Sequence, residues 1–222
     1  MEDVGSLSLA ETFMAMYSSG GCLERFLNRR DGIHQEVMEG MSAWHDHMRE
    51  VEILAVCMGI VGGLPDEDIK ILAVGAGSHD IGKVREGIQQ LISAPRHLSA
   101  AEMDQVKTHV EFGVYLARAS MLDDVSPRAI SIIGEHHERR DGSGYPKGLK
   151  GDEIDVLAEI TGIADTYDAI TSDRPHEKAR SQDEAIDIAR GEARKGRFRE
   201  RWVEALVTVV TNPGYRRRAW LE

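Results

Sequence analysis

The sequence predicts an all-α fold, and three observations carry that expectation. Apolar residues recur at spacings of three and four rather than two, helix-start signals precede the apolar stretches, and no segment alternates well enough for a strand. The first forty residues read as a short helical extension. Ser8-Leu-Ala-Glu11 has capping-box spacing, Gly20-Gly21 interrupts, and Asp31-Gly32 breaks again before a helix beginning near Ile33. This divides the chain into an extension, 1–40, and a main domain, 41–222.

In the main domain, Val51, Leu54, Ala55, Met58 and Val61 form one helical stripe. After the break Gly62-Gly63-Leu64-Pro65, Ile69, Leu72 and Ala73 form another. Ser99-Ala-Ala-Glu102 and Ser181-Gln-Asp-Glu184 are capping boxes, in which the hydroxyl and the carboxylate each satisfy an orphan backbone N–H. Ser126-Pro127 sets a capping hydroxyl before a proline at the first helical position, where its missing N–H does no harm. Arg139 to Gly151, RRDGSGYPKGLKG, is too rich in glycine for a regular element and reads as a loop. Arg216-Arg217-Arg218 reads as a solvated end.

The 222 residues suit one sizeable core, and 41% hydrophobic with 29% charged residues is a globular composition. Lys and Arg number 27 against 38 Asp and Glu, a formal net charge of -11. That balance argues against nucleic-acid polymers and anionic membranes, so a phosphorylated substrate needs local positive charge. Two cysteines, Cys22 and Cys57, and an acidic start, Met1-Glu2-Asp3, suit a reduced cytoplasmic protein. The longest apolar run, Ile53 to Leu64, falls well short of the roughly 20 residues of a membrane helix.

The stretch Gly75 to Val84, GAGSHDIGKV, admits two readings. From Gly77 it has the spacing of a phosphate-binding loop, but Val84 stands where that loop needs Ser or Thr, and the preceding segment is helical rather than a strand. From His79 it offers an imidazole beside a carboxylate. His79-Asp80 closes one helix, His136-His137 closes another, His109 falls inside the helix from Ser99, and His47 starts an earlier one. Imidazole and carboxylate ligands without nearby cysteine favour Fe, Mn or similar ions over a structural thiolate zinc. An aspartate has two oxygens and can bridge two ions, a recurrent device for phosphoester cleavage.

These residues resemble the HD-GYP phosphodiesterases of the HD superfamily of metal-dependent phosphohydrolases. The resemblance rests on His79-Asp80-Ile81-Gly82-Lys83, Lys107-Thr108-His109, HHERRDGSGYPKGLKG from His136 to Gly151, and IADTYDAITSDRP from Ile163 onward. It runs from about His47 to the helix around Trp202. It implies an HD-type helical bundle that opens cyclic di-GMP to linear pGpG, and in some members to GMP. Carried over by position, one divalent ion is held by His47, His79, Asp80 and Asp165. A second is held by Asp80 as bridge with His109, His136 and His137. Fe or Mn is favoured, with Mg, Ni, Zn and Co open. His45 is the runner-up to His47.

The implied chemistry is attack by a hydroxide held between the ions, with Asp80 and Lys83 as the catalytic pair. Lys83, Arg174, Tyr145 and Arg139 are the substrate contacts. Ala43 stands where some members carry an acidic ligand for a third ion, which speaks for two. The sequence departs from the family in VREGIQQLISAP from Val84 to Pro95, in His176-Glu177-Lys178 after the Asp-Arg-Pro, and in Arg140 at a frequent tryptophan position. These departures keep two other readings in view: an HD phosphohydrolase for another nucleotide or cyclic dinucleotide, and a weakly active binding module. A protein partner would dock through the Gly-Tyr-Pro loop or the N-terminal helices.

Overall fold

The computed structural model describes residues 34–85, 87–120, 126–173, 178–212 and 214–215, with the side chains of 34–45 and 119–120 outside that description. The Ser8 capping box, the Gly20-Gly21 break, Arg174, His176, Glu177 and Arg216 to Arg218 lie outside the described residues. Among the described residues there is no strand, and the expected all-α fold is what is found.

Helix α1, His34–Val61, is the spine. No proline interrupts it, so it runs unbroken past residue 40, and His47 sits well inside it rather than at a helix start. After the glycine break, α2, Asp66–Ala76, opens at Pro65 with Asp66, Glu67 and Asp68 in its first turn, where carboxylates complement the helix dipole. A 3-10 turn, Ile81–Val84, and the short α3, Ile88–Ile92, follow.

Helix α4, Ala100–Lys107, carries both halves of the Ser99–Glu102 capping box. It stops one residue before His109. The Thr108 hydroxyl and backbone N–H both turn back to the Gln105 carbonyl, and a separate helix α5, His109–Ser120, begins. His109 therefore opens a helix instead of lying inside the one from Ser99. Helix α6, Pro127–Glu135, begins as Ser126 and Pro127 predict, with the Ser126 hydroxyl accepting from the Arg128 N–H. Three further helices follow: α7, Val156–Thr171; α8, Gln182–Arg194, with its capping box complete; and α9, Glu200–Thr211.

The core lies where α1, α2, α6, α7 and α9 meet, filled by Leu54, Met58, Leu72, Ile132, Leu157, Ile160, Trp202 and Leu206. The stripe read along 51–61 faces this core, with Val61 partly buried at its end. Two backbone approaches set the site's dimensions. A Cβ on Gly162 of α7 would lie 2.3 Å from the His136 carbonyl oxygen, so α7 and the end of α6 meet backbone to backbone. A Cβ on Gly82 would lie 1.8 Å from the His109 carbonyl oxygen, which seats the 3-10 turn directly on α5. Gly82 is thus required by close approach.

Candidate metal centre

Adjacent residues are delivered from helix ends. His79 and Asp80 leave the turn after α2, His136 is the C-cap of α6 with His137 beyond it, and His109 is the first residue of α5. His47 comes from α1 and Asp165 from α7. The structure gathers all seven residues that the sequence singled out as metal ligands. One group, Asp80, His109, His136 and His137, and another, His47, His79 and Asp165, each offer ligand atoms lying within 4.8 Å of one another.

Asp80 stands between the groups, and its two oxygens face opposite ways. Oδ2 lies 3.4 Å from His47 Nε2 and 3.4 Å from His79 Nε2. Oδ1 lies 3.2 Å from His109 Nε2 and 3.8 Å from His136 Nε2. Asp165 divides similarly, with Oδ1 3.3 Å from His47 Nε2 and Oδ2 3.8 Å from His137 Nδ1.

Local hydrogen bonds set the imidazoles. The Nδ1 of His79 lies 2.7 Å from the Ala76 carbonyl, that of His109 2.7 Å from Val106, and that of His136 3.0 Å from Ile133. A carbonyl only accepts, so each Nδ1 carries the proton and each Nε2 presents a lone pair to the site. Those three Nε2 atoms and Asp80 Oδ1 are buried without a hydrogen-bond partner. Leaving buried polar atoms unsatisfied costs roughly 1–3 kcal/mol each, and lone pairs converging beside carboxylates require a cation. The residues therefore fit a divalent metal, and the donor set, nitrogen and oxygen without thiolate, suits a catalytic first-row ion.

The electrostatics suit the carboxylates and the paired histidines. Burial opposes charge on Asp80, but the Lys83 ammonium beside it overcomes this and holds the carboxyl well below its usual range. Burial likewise opposes charge on Asp165, where the hydrogen bond with His47 prevails and keeps it ionised. Burial pushes His136 down to about 4 and also lowers His137, so both stay neutral and able to ligate. At His47 burial works against protonation, yet hydrogen bonds with Asp165, Asp168 and Asp80 raise its pKa to about 11, so a cation must displace the Nε2 proton before this ring can ligate.

Asp168 was missed in the sequence. Its Oδ2 lies 2.6 Å from His47 Nδ1, orienting the ring so that Nε2 faces Asp80 and Asp165. The available signal was its place three residues after Asp165 on one helix face.

Of the expected substrate contacts, Lys83 places Nζ against Asp80 Oδ2 at the edge of the cluster. Tyr145 stacks on the His137 imidazole, ring centroids 4.6 Å apart at 25°, and Lys107 Nζ lies 5.7 Å from the Tyr145 ring centroid. Burial raises the Tyr145 phenol, which stays neutral. Arg139 is turned inward, donating to the His136 and Glu138 carbonyls and to the Thr166 hydroxyl, with its guanidinium over Phe198. The Gly-Tyr-Pro loop is clamped by the buried Glu138 carboxylate, which accepts from the Lys147 N–H at 2.7 Å and the Leu149 N–H at 3.0 Å. Arg140 pins the loop's far end through the Gly151 carbonyl.

Comparison with known proteins points the same way. A family model described as HD domain matches residues 33–200. The chain is 35% identical over 189 residues to the cyclic di-GMP phosphodiesterase response regulator RpfG of Xanthomonas campestris pv. campestris, covering 83% of this chain and 46% of that protein. It is 31% identical over 162 residues to the 3'3'-cGAMP-specific phosphodiesterase 2 of Vibrio cholerae, covering 72% of this chain and 30% of that protein. The chain thus spans less than half the length of these two relatives. Among solved structures, Bd1817, an HDGYP protein from Bdellovibrio bacteriovorus, matches at a TM-score of 0.64 and 20% identity, covering 92% of this chain and 61% of that one, a likeness of fold.

Proposed function

Because the chain belongs to the HD-domain family and carries the Gly-Tyr-Pro loop of its HD-GYP branch, we propose that it is a metal-dependent phosphodiesterase that opens cyclic di-GMP to linear pGpG. The observation that carries this reading is the division of Asp80, one oxygen toward His47 and His79 and the other toward His109 and His136. A carboxylate so placed is suited to bridging two ions, held by His47, His79, Asp80 and Asp165 on one side and by Asp80, His109, His136 and His137 on the other. Such a pair, when bound, supplies Lewis acidity and a nucleophilic water at neutral pH.

The chain's own residues do the rest. Asp80 and Asp165, ionised by their surroundings, and the neutral His136 and His137 provide the ligand charges. Lys83, beside Asp80, meets a phosphate oxygen and offsets charge that grows there during cleavage. Arg174, outside the described residues, is assigned a second phosphate contact through its planar fork. Tyr145 holds the His137 ring and lines the approach. Arg139 supports the His136 turn from within, which suits a positioning part better than direct substrate contact.

The full chain loaded with Mn²⁺ or Fe²⁺ is expected to convert cyclic di-GMP to pGpG by chromatography, and Asp80→Ala to abolish the conversion. Wild type that carries two metals per chain and cleaves a generic phosphodiester, while leaving cyclic di-GMP intact, would refute the substrate and keep the metal centre. Relatives named for cGAMP make that dinucleotide the second compound to assay.

A further inference from the structure

A second feature adjoins the metal cluster and plays no part in it. Lys83 and Arg85 leave the same tight turn, and His109 and Phe112 lie on successive turns of α5. The contact of Gly82 with the His109 carbonyl and with the Gly113 backbone N, 2.6 Å from a Cβ at 82, joins the two segments. Above this seam the Arg85 guanidinium lies 5.7 Å from the Phe112 ring centroid. Tyr115 stacks with Phe112, centroids 6.0 Å apart and planes inclined by 20°. Tyr115 is 64% exposed and Phe112 is half-buried beneath it, so the outer face of the pair is open to solvent.

We infer that Arg85, Phe112 and Tyr115 form a stacking platform for one purine base of the substrate. This rests on the cyclic-dinucleotide reading above. A phosphodiester held at Lys83 and the metal cluster carries its base one ribose away. Along α5, Phe112 is about 4.5 Å and Tyr115 about 9 Å beyond His109, a separation comparable to the span of one nucleoside. Flat aromatic faces next to a guanidinium take a nucleobase by stacking and cation–π attraction, without reading its hydrogen-bonding edge. The platform therefore selects for a purine over a base-free diester and tolerates guanine and adenine alike.

The test compares wild type, Tyr115→Ala and Tyr115→Phe as metal-loaded full chains. Tyr115 is the exposed member, and its truncation leaves the core intact. Tyr115→Ala is expected to raise the KM for cyclic di-GMP by roughly tenfold while kcat stays close to wild type, with Tyr115→Phe restoring the KM. A cyclic dinucleotide carrying 2-aminopurine should lose fluorescence on mixing with wild type and keep it with Tyr115→Ala. Active wild type with unchanged KM and unchanged quenching in Tyr115→Ala overturns the platform alone. A wild type that neither cleaves nor binds any cyclic dinucleotide overturns the platform together with the proposed function.

Discussion

The Tyr145 ring lies stacked on the His137 imidazole, at 4.6 Å between centroids and 25° between planes. Among the described residues no carbonyl lies at the His137 ring nitrogens, whereas His109 and His136 are each held by a backbone oxygen. Its orientation therefore leans on Tyr145 and on Asp165, 3.8 Å from Nδ1. Tyr145→Phe keeps the stacking face and is expected to retain metal content and turnover. Tyr145→Ala should weaken metal binding by roughly tenfold or more, seen as a loss of metal per chain after dialysis. Equal metal content in the two variants would show that the stack does not hold the ring.

Gly82→Ala tests the seam between the 3-10 turn and α5. The added carbon would lie 1.8 Å from a backbone oxygen, which cannot swing away as a side chain can. Overpacking of this kind costs about 1–3 kcal/mol, or roughly 2–12 °C in Tm for a chain this size. His109 should be displaced at the same time, so metal content falls with Tm. A Gly82→Ala protein with wild-type Tm would contradict the close approach.

What could be read in advance was mostly local. The capping serines at 99, 126 and 181, the Gly62-Gly63 break and the His79-Asp80 and His136-His137 pairs all depend on near neighbours in sequence, and they hold in the structure. Asp165, alone among carboxylates on α7, came through the resemblance and not through spacing. What stayed hidden shares a cause. The need for glycine at 82 comes from the His109 carbonyl, and the place of Asp168 from His47, 121 residues away in sequence. Such tertiary partners leave no periodic trace in a single sequence.

Asp168 is expected to act through His47. A carboxylate on the far nitrogen of a ligating imidazole fixes the ring and raises its basicity, and its loss commonly costs 10–100-fold in metal affinity or activity. Asp168→Ala should lower metal affinity within about that range, with Asp168→Asn milder because an amide oxygen still accepts from Nδ1. Titration with Mn²⁺ followed by a fluorescent competitor would measure both. Metal affinity in Asp168→Ala equal to wild type would assign Asp168 to packing instead.

Metal removal gives the broadest test of the cluster. Three Nε2 lone pairs and an Asp80 oxygen are buried without hydrogen bonds, and the paired ionised carboxylates repel one another across the same space. A cation binds this arrangement in the folded chain and finds no equivalent in the unfolded one, so it stabilises the fold by mass action. At a free concentration a hundred times Kd the gain is about 2.7 kcal/mol, which corresponds to roughly 5–10 °C in Tm. Chelation should lower Tm by that amount and added Mn²⁺ restore it. Asp80→Ala, lacking the carboxylate that faces both groups, should melt at the same temperature with or without the ion. If chelation leaves the wild-type Tm unchanged after metal analysis has shown the ions to be gone, the buried lone pairs are satisfied in some other way and the cluster is not a metal centre.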